Sequence, residues 1–202
     1  MEVKDTYLSV ESESRGSYRE KASRFIALAF PVSSEAEVKE KLDSVRKEYY
    51  DANHHCYAYR LGPAGEKYRV NDDGEPSGTA GRPIYGQILS HGFSDLLVVV
   101  VRYFGGTKLG VPGLIHAYRT AAGEALSTAV PATRMLTDTV SVKFGYANMN
   151  DVMKALKDAG ATIIRQDSGE DCTILFSVRR SKSEETRNRL SKVPDIYISV
   201  NV

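Results

Sequence analysis

Three things are scarce in this sequence. The first is a long apolar run. None is longer than Leu96 to Val101, which has the length of a buried strand and falls far short of the ~20 residues that cross a bilayer. The second is cysteine. Cys56 and Cys172 are the only two, too few for a disulfide framework, and they read as buried thiols. The third is net charge, which is +1 at pH 7. Residues up to Leu136 carry 17 basic and 17 acidic side chains, and those from Thr137 onward carry 10 and 9. Neither half is a polyelectrolyte, so any nucleic-acid contact must come from a local patch. The charged start, Met1-Glu2-Val3-Lys4-Asp5, has no apolar stretch of the signal-peptide kind, which points to the cytoplasm. No cofactor or metal is expected.

What is present is ordinary globular composition, 42% hydrophobic and 26% charged over 202 residues, enough for one large domain or two small ones. Leu8 to Val10 and Ser23 to Val32 read as strands around a turn at Ser14-Arg15-Gly16-Ser17. The second strand is apolar on both faces and should sit centrally in a covered sheet. Ser34 and Glu37 have capping-box spacing, and Val38, Leu42, Val45 and Tyr49 form the stripe of the helix they open. His54 to Leu61 and Lys67 to Asp72 predict a hairpin about Gly62-Pro63-Ala64-Gly65. A short helix is expected at Pro83 to Ser90, a strand at Leu96 to Phe104, and a helix with an alanine face at Leu114 to Ala129.

Val130-Pro131-Ala132-Thr133 breaks the pattern and sets a boundary, giving domains 1–132 and 133–202. Beyond it the order is β-α-β-β-α-β. The strands are expected at Thr137 to Tyr146, Ala161 to Asp167, Cys172 to Val178 and Ile196 to Val200. The helices are expected at Asn150 to Ala159 and Ser183 to Lys192, with a second capping box at Ser181 and Glu184. This is the order of a ferredoxin-like sandwich, and the whole is an α+β protein.

Two glycine-rich stretches stand out: Asp72-Asp73-Gly74-Glu75-Pro76-Ser77-Gly78-Thr79-Ala80-Gly81-Arg82-Pro83, and Arg102-Tyr103-Phe104-Gly105-Gly106-Thr107-Lys108-Leu109-Gly110. The second leaves a strand and enters a helix, where backbone N–H groups can hold a phosphate, with Arg82, Arg102 and Lys108 adding charge. It lacks the spacing of a Walker loop. A tight structural turn is the competing reading. Tyr103 beside the loop is placed to stack on a base. Asp72, Asp73 and Glu75 form an acidic turn, read as a solvated turn, a salt contact to Arg82 or Arg102, or a divalent-ion site. His54 and His55 are adjacent on a strand, so their side chains point to opposite faces.

These motifs, with Lys21-Ala22-Ser23-Arg24-Phe25-Ile26 and Asp51-Ala52-Asn53-His54-His55-Cys56, resemble those of the IMPACT family, also called UPF0029, and its bacterial YigZ-type members. The resemblance implies a first domain like domain 2 of ribosomal protein S5. It implies a second like the fifth domain of elongation factor G. It also implies translation-related work, although eukaryotic members regulate translation through an additional N-terminal domain.

The leading expectation is a non-enzymatic protein that binds RNA, the ribosome or a translation factor. The surface would comprise Arg82, Arg102, Tyr103, Gly105, Gly106, Thr107, Lys108 and Gly110. One alternative is a small, peptidase-like hydrolase using Asp72, Asp73 and Glu75 with His54 or His55. Another is a protein-interaction module.

Overall fold

The structure is a computed structural model that describes residues 5–169 and 171–201, apart from the side chain of Asn201. It is a mixed α+β protein of two compact units, Tyr7–Arg134 and a second formed by Met135–Val202 with the segment up to Thr6. Among the described residues no helix is long and apolar enough to cross a membrane.

The larger unit is built on a five-stranded antiparallel sheet in the order β2-β3-β6-β4-β5. Its strands are β2 (Ser14–Glu20), β3 (Ser23–Pro31), β4 (His54–Leu61), β5 (Lys67–Asn71) and β6 (Leu96–Tyr103). Period-two alternation divides each central strand between two cores. Phe25, Ala27, Ala29, Cys56, Ala58, Leu96, Val98 and Val100 meet helices α2 (Gly81–Ser90) and α3 (Gly110–Ser127). Ile26, Leu28, Phe30, Tyr57, Tyr59, Leu97, Val99 and Val101 meet Val38, Leu42 and Val45 of α1 (Glu35–Glu48). The alanine face of α3 is wholly buried at Ala117, Ala121, Ala122 and Ala125. It lies so close to β2 that a Cβ on Gly16 would stand 2.3 Å from the Ala125 nitrogen.

That approach explains a misreading. Gly16 suggested a turn, but it is the point where a helix backbone touches a strand. The actual turn is Lys21-Ala22, two non-glycine residues at φ 44° and 63°, which gives no glycine signal. Strand β1 (Thr6–Val10) pairs not with β3 but with β7 (Pro131–Met135), so the predicted break at Val130 to Thr133 lies at the start of a strand. The first capping box forms in altered shape. Ser34 Oγ accepts from Glu37 N at 3.2 Å, whereas the Glu37 carboxylate reaches back to Ser33 N at 2.8 Å.

In the second unit β8 (Thr137–Gly145), β9 (Thr162–Ser168), β10 (Asp171–Arg179) and β11 (Tyr197–Asn201) form an antiparallel sheet ordered β11-β8-β10-β9. Helices α4 (Met149–Ala159) and α5 (Arg180–Leu190) bring Val152, Ala155, Leu156 and Leu190 into a core with Val140, Val142, Phe144, Ile174 and Phe176. The second capping box is not made. Helix α5 starts before Ser181, and Ser181 Oγ and N both bond the Asp5 carboxylate. Ser168-Gly169-Glu170-Asp171 reads in the sequence as the hairpin turn between β9 and β10, and Glu170 in it lies outside the described residues.

Candidate functional site

Four segments meet at one end of the five-stranded sheet: the Lys21-Ala22 turn, the start of β4, the Asp72–Ala80 loop and the loop after β6. Gly105 has no room for a side chain, because a Cβ would lie 2.1 Å from the Ala22 carbonyl carbon. Its N–H donates to Ser23 Oγ at 3.1 Å. The next N–H back, on Phe104, donates to Asn53 Oδ1 at 2.8 Å. Gly106 then takes φ +82°, a region that other residues enter at a cost.

The junction closes over a buried ion pair. Arg102 is 5% exposed and Glu75 9%. Arg102 Nη1 donates to Glu75 Oε1 at 2.6 Å, and the Tyr118 hydroxyl donates to the same oxygen at 2.8 Å. The guanidinium carbon lies 5.5 Å from the ring centres of both Phe25 and Phe104, so the charge is held between two aromatic faces. Arg102 Nε is buried with no partner among the described residues. Cys56 Sγ lies 3.3 Å from the Tyr118 oxygen and 3.0 Å from Asp72 O. Burial pushes the Cys56 thiol well up, and burial does the same to Tyr118 with Cys56 and Glu75 adding to it. Both stay protonated, and Cys56 is no thiolate nucleophile.

The expected acidic turn therefore does not act as a cluster, because its three carboxylates diverge. Asp72 turns to the start of α2 and accepts N–H bonds from Gly78, Ala80 and Gly81 at 2.8, 3.0 and 2.8 Å. Burial opposes its ionisation, but the three N–H bonds outweigh that and hold its carboxyl below the ordinary value. Asp73 accepts from His55 N at 2.7 Å, and Glu75 takes Arg102. Among the described residues no three His, Cys, Asp or Glu side chains converge to hold a metal ion. The histidines face opposite ways, as alternation requires. His54 Nδ1 is 2.8 Å from Asp73 O and His55 Nε2 is 3.0 Å from Tyr49 O. A carbonyl only accepts, so these two ring nitrogens carry protons. His54 Nε2 stands 3.8 Å from Glu75.

Of the expected surface contacts, Arg82, Gly106, Thr107, Lys108 and Gly110 are exposed and Tyr103 is half-buried. Arg102 is the correction. Its charge faces inward to Glu75, so it supplies no free surface cation.

One feature escaped the sequence reading. On the α1 side of the sheet, helix α1 leaves β2 and the near end of β3 uncovered. A groove of about 360 Å³ lies there, lined by Arg15, Gly16, Ser17, Arg24, Ile26, Tyr49 and Tyr103. The register sets Arg24 beside both Arg19 and Tyr103. Arg15 is held by Glu13 at 2.7 Å and lies 3.5 Å from Glu48, whereas Arg24 has no ion-pair partner among the described residues. The Tyr103 hydroxyl donates to Asp51 at 2.8 Å; partial burial and this bond raise its pKa. The signal was legible in Arg15, Ser17 and Arg19, which alternate with Gly16 and Tyr18, once the segment is taken as a strand.

Residues 21–126 match the family model described as the Impact N-terminal domain. The chain is 36% identical over 137 residues to the IMPACT family member YvyE of Bacillus subtilis, covering 68% of this chain and 63% of that one. It is 33% identical over 149 residues to the IMPACT family member YigZ of Escherichia coli, covering 73% of each. It is 48% identical over 122 residues to an IMPACT family member of Thermus thermophilus, covering 60% and 64%. A crystal structure of a protein described as hypothetical matches at a TM-score of 0.79 and 26% identity, over 99% of each chain. The motifs at 21–26, 51–56, 72–83 and 100–110 all lie in the matched span, and they meet around the Arg102–Glu75 pair. The chain belongs to the IMPACT family.

Proposed function

We propose that this protein binds RNA, free or on the ribosome, through the groove between β2, β3 and α1. The observation that carries the reading is the groove's make-up: Arg24, which has no ion-pair partner among the described residues, lies in register with Tyr103, and Arg15 and Tyr49 share the lining. An arginine beside an aromatic on an open sheet face suits phosphate contact with base stacking. Lys108 and Thr107 at the start of α3, with Arg82, extend the contact along the backbone. Arg102 acts as a positioning residue, fixing the loop after β6 from beneath. The family's resemblance to translation regulators supports the same reading. So does likening the larger unit to S5 domain 2, and the βαββαβ unit to the ferredoxin-like fifth domain of elongation factor G; fold likeness alone is associational.

The hydrolase alternative loses its centre in this geometry, since Asp72, Asp73 and Glu75 are each committed to a different partner.

The test is binding of the purified protein to a mixed RNA pool and to ribosomal subunits across a salt series. Saturable, salt-sensitive binding is expected. Each phosphate contact removed lowers the log–log slope by about 0.7 for single-stranded RNA. Absence of binding at low salt overturns the reading.

A further inference from the structure

We propose that the smaller unit carries a second binding site, independent of RNA: a groove between α4 and β9 that takes an extended peptide segment, with apolar and acidic side chains on the same face, from a partner protein. Strand β9 is an edge of its sheet, and all seven of its residues are exposed. An exposed edge presents unpaired backbone donors and acceptors, to which an extended chain can add.

The strand carries its own charges, but they cancel: Arg165 pairs with Asp167 at 2.8 Å. The ladder to β10 shifts between Ile163 and Arg165, and Ile164 at that irregularity is 55% exposed. Beside the strand lies an open groove of about 540 Å³, lined by Met153, Lys154, Leu156, Lys157, Ala161 and Ile163. Its lining is apolar apart from two lysines. Met153 and Ile163 are each 37% exposed, while Leu156 anchors the helix in the core at 2%.

The two lysines decide the occupant. Lys154 and Lys157 are three apart on α4, hence on one face. Neither has an ion-pair partner among the described residues, although Asp158 next to them is taken by Arg189 at 2.6 Å. An extended segment places alternate side chains on opposite sides. Added to β9, it turns every second side chain toward the groove, where apolar ones meet Met153 and Ile163 and acidic ones meet the lysines. A nucleic acid suits this site less well than such a peptide, because beyond the two lysines the lining is apolar and gives sugars and bases no hydrogen-bond partner.

The test is selection of a random-peptide library on the full chain, with counter-selection on the folded Lys154→Glu/Lys157→Glu variant. Enriched peptides are expected to carry both apolar residues and Asp or Glu at every-second positions, on one face, and to shift backbone amide resonances of α4 and β9. Their affinity is expected to fall about ten-fold in the double lysine variant, and also in Ile163→Lys. Recovery of no binders, of binders without acidic residues, or of binders indifferent to these substitutions overturns the proposal. So does concentration-dependent self-association of the chain that Ile163→Lys abolishes, which assigns the edge to a second copy.

Discussion

Removing Arg102 is expected to be one of the most damaging single changes to the larger unit. In Arg102→Met the aliphatic stem survives between Phe25 and Phe104, but Glu75, 9% exposed, keeps one hydrogen bond, from the Tyr118 hydroxyl, with the His54 ring at 3.8 Å. Breaking a buried pair this way costs about 3–5 kcal/mol, because one charge is left uncompensated. At about 2–4 °C per kcal/mol for a chain of this size, the melting temperature falls by roughly 6–20 °C. Glu75→Gln should lose a similar amount, since it strands the guanidinium instead. The double variant should lose much less than the sum, because no unpaired charge remains. Near-UV circular dichroism is a suitable probe. The chain has 12 tyrosines and no tryptophan, and all but Tyr146 and Tyr197 lie in Tyr7–Arg134, so the signal reports that unit. Single variants costing less than about 1 kcal/mol, or strictly additive ones, would refute the description of a coupled buried pair.

Three further outcomes follow from the same geometry. Asp72 is held below its ordinary pKa, so its stabilisation is complete above the unfolded value of about 3.9 and is lost as pH falls through the folded value; Asp72→Asn should flatten the acid limb of the stability profile below about pH 4, and an unchanged limb counts against the α2 contacts. Gly105→Ala, whose Cβ would meet the Ala22 backbone at 2.1 Å, should cost about 1–3 kcal/mol in urea unfolding, and a neutral effect would contradict the packing of the two loops. Cys56 and Cys172 are both fully buried, so neither should react with a thiol reagent until denaturant is added; rapid labelling of the native protein would show that the core is open.

Much of the fold could be read from residue order, and the failures have definite causes. Doubly apolar strands such as Ser23 to Val32 and Leu96 to Phe104 announced a covered sheet, and the alanine face of α3 announced close packing. Gly16 misled because a strand glycine that admits a helix looks, in sequence, like a turn glycine. The Lys21-Ala22 turn was invisible because its positive φ angles fall on residues that seldom adopt them. The site divided in the same way. The two glycine-rich stretches that stand out in the sequence do meet at one end of the sheet, but the Lys21-Ala22 turn that meets them gives no such signal. Which carboxylate takes which partner was not legible, because Asp72, Asp73 and Glu75 sit within four residues yet point to three different elements. A salt contact from this turn to Arg102 is among the readings of the sequence and is made by Glu75, 27 residues away, but that the pair is buried was not legible, because local sequence does not show what covers it. The groove at Arg24 was missed with the strand that forms its rim.

The central claim is that RNA is bound by the groove at Arg24 and Tyr103 rather than by a charge on Arg102. The most direct measurement is the salt dependence of RNA binding for the native chain, Arg24→Ala, and Lys108→Ala. The account predicts weaker binding in both variants, each with a slope reduced by about 0.7, and additional loss for single-stranded RNA when Tyr103→Ala is combined with Arg24→Ala. Arg24→Ala with native affinity and native slope, in a chain that still binds RNA, would contradict it.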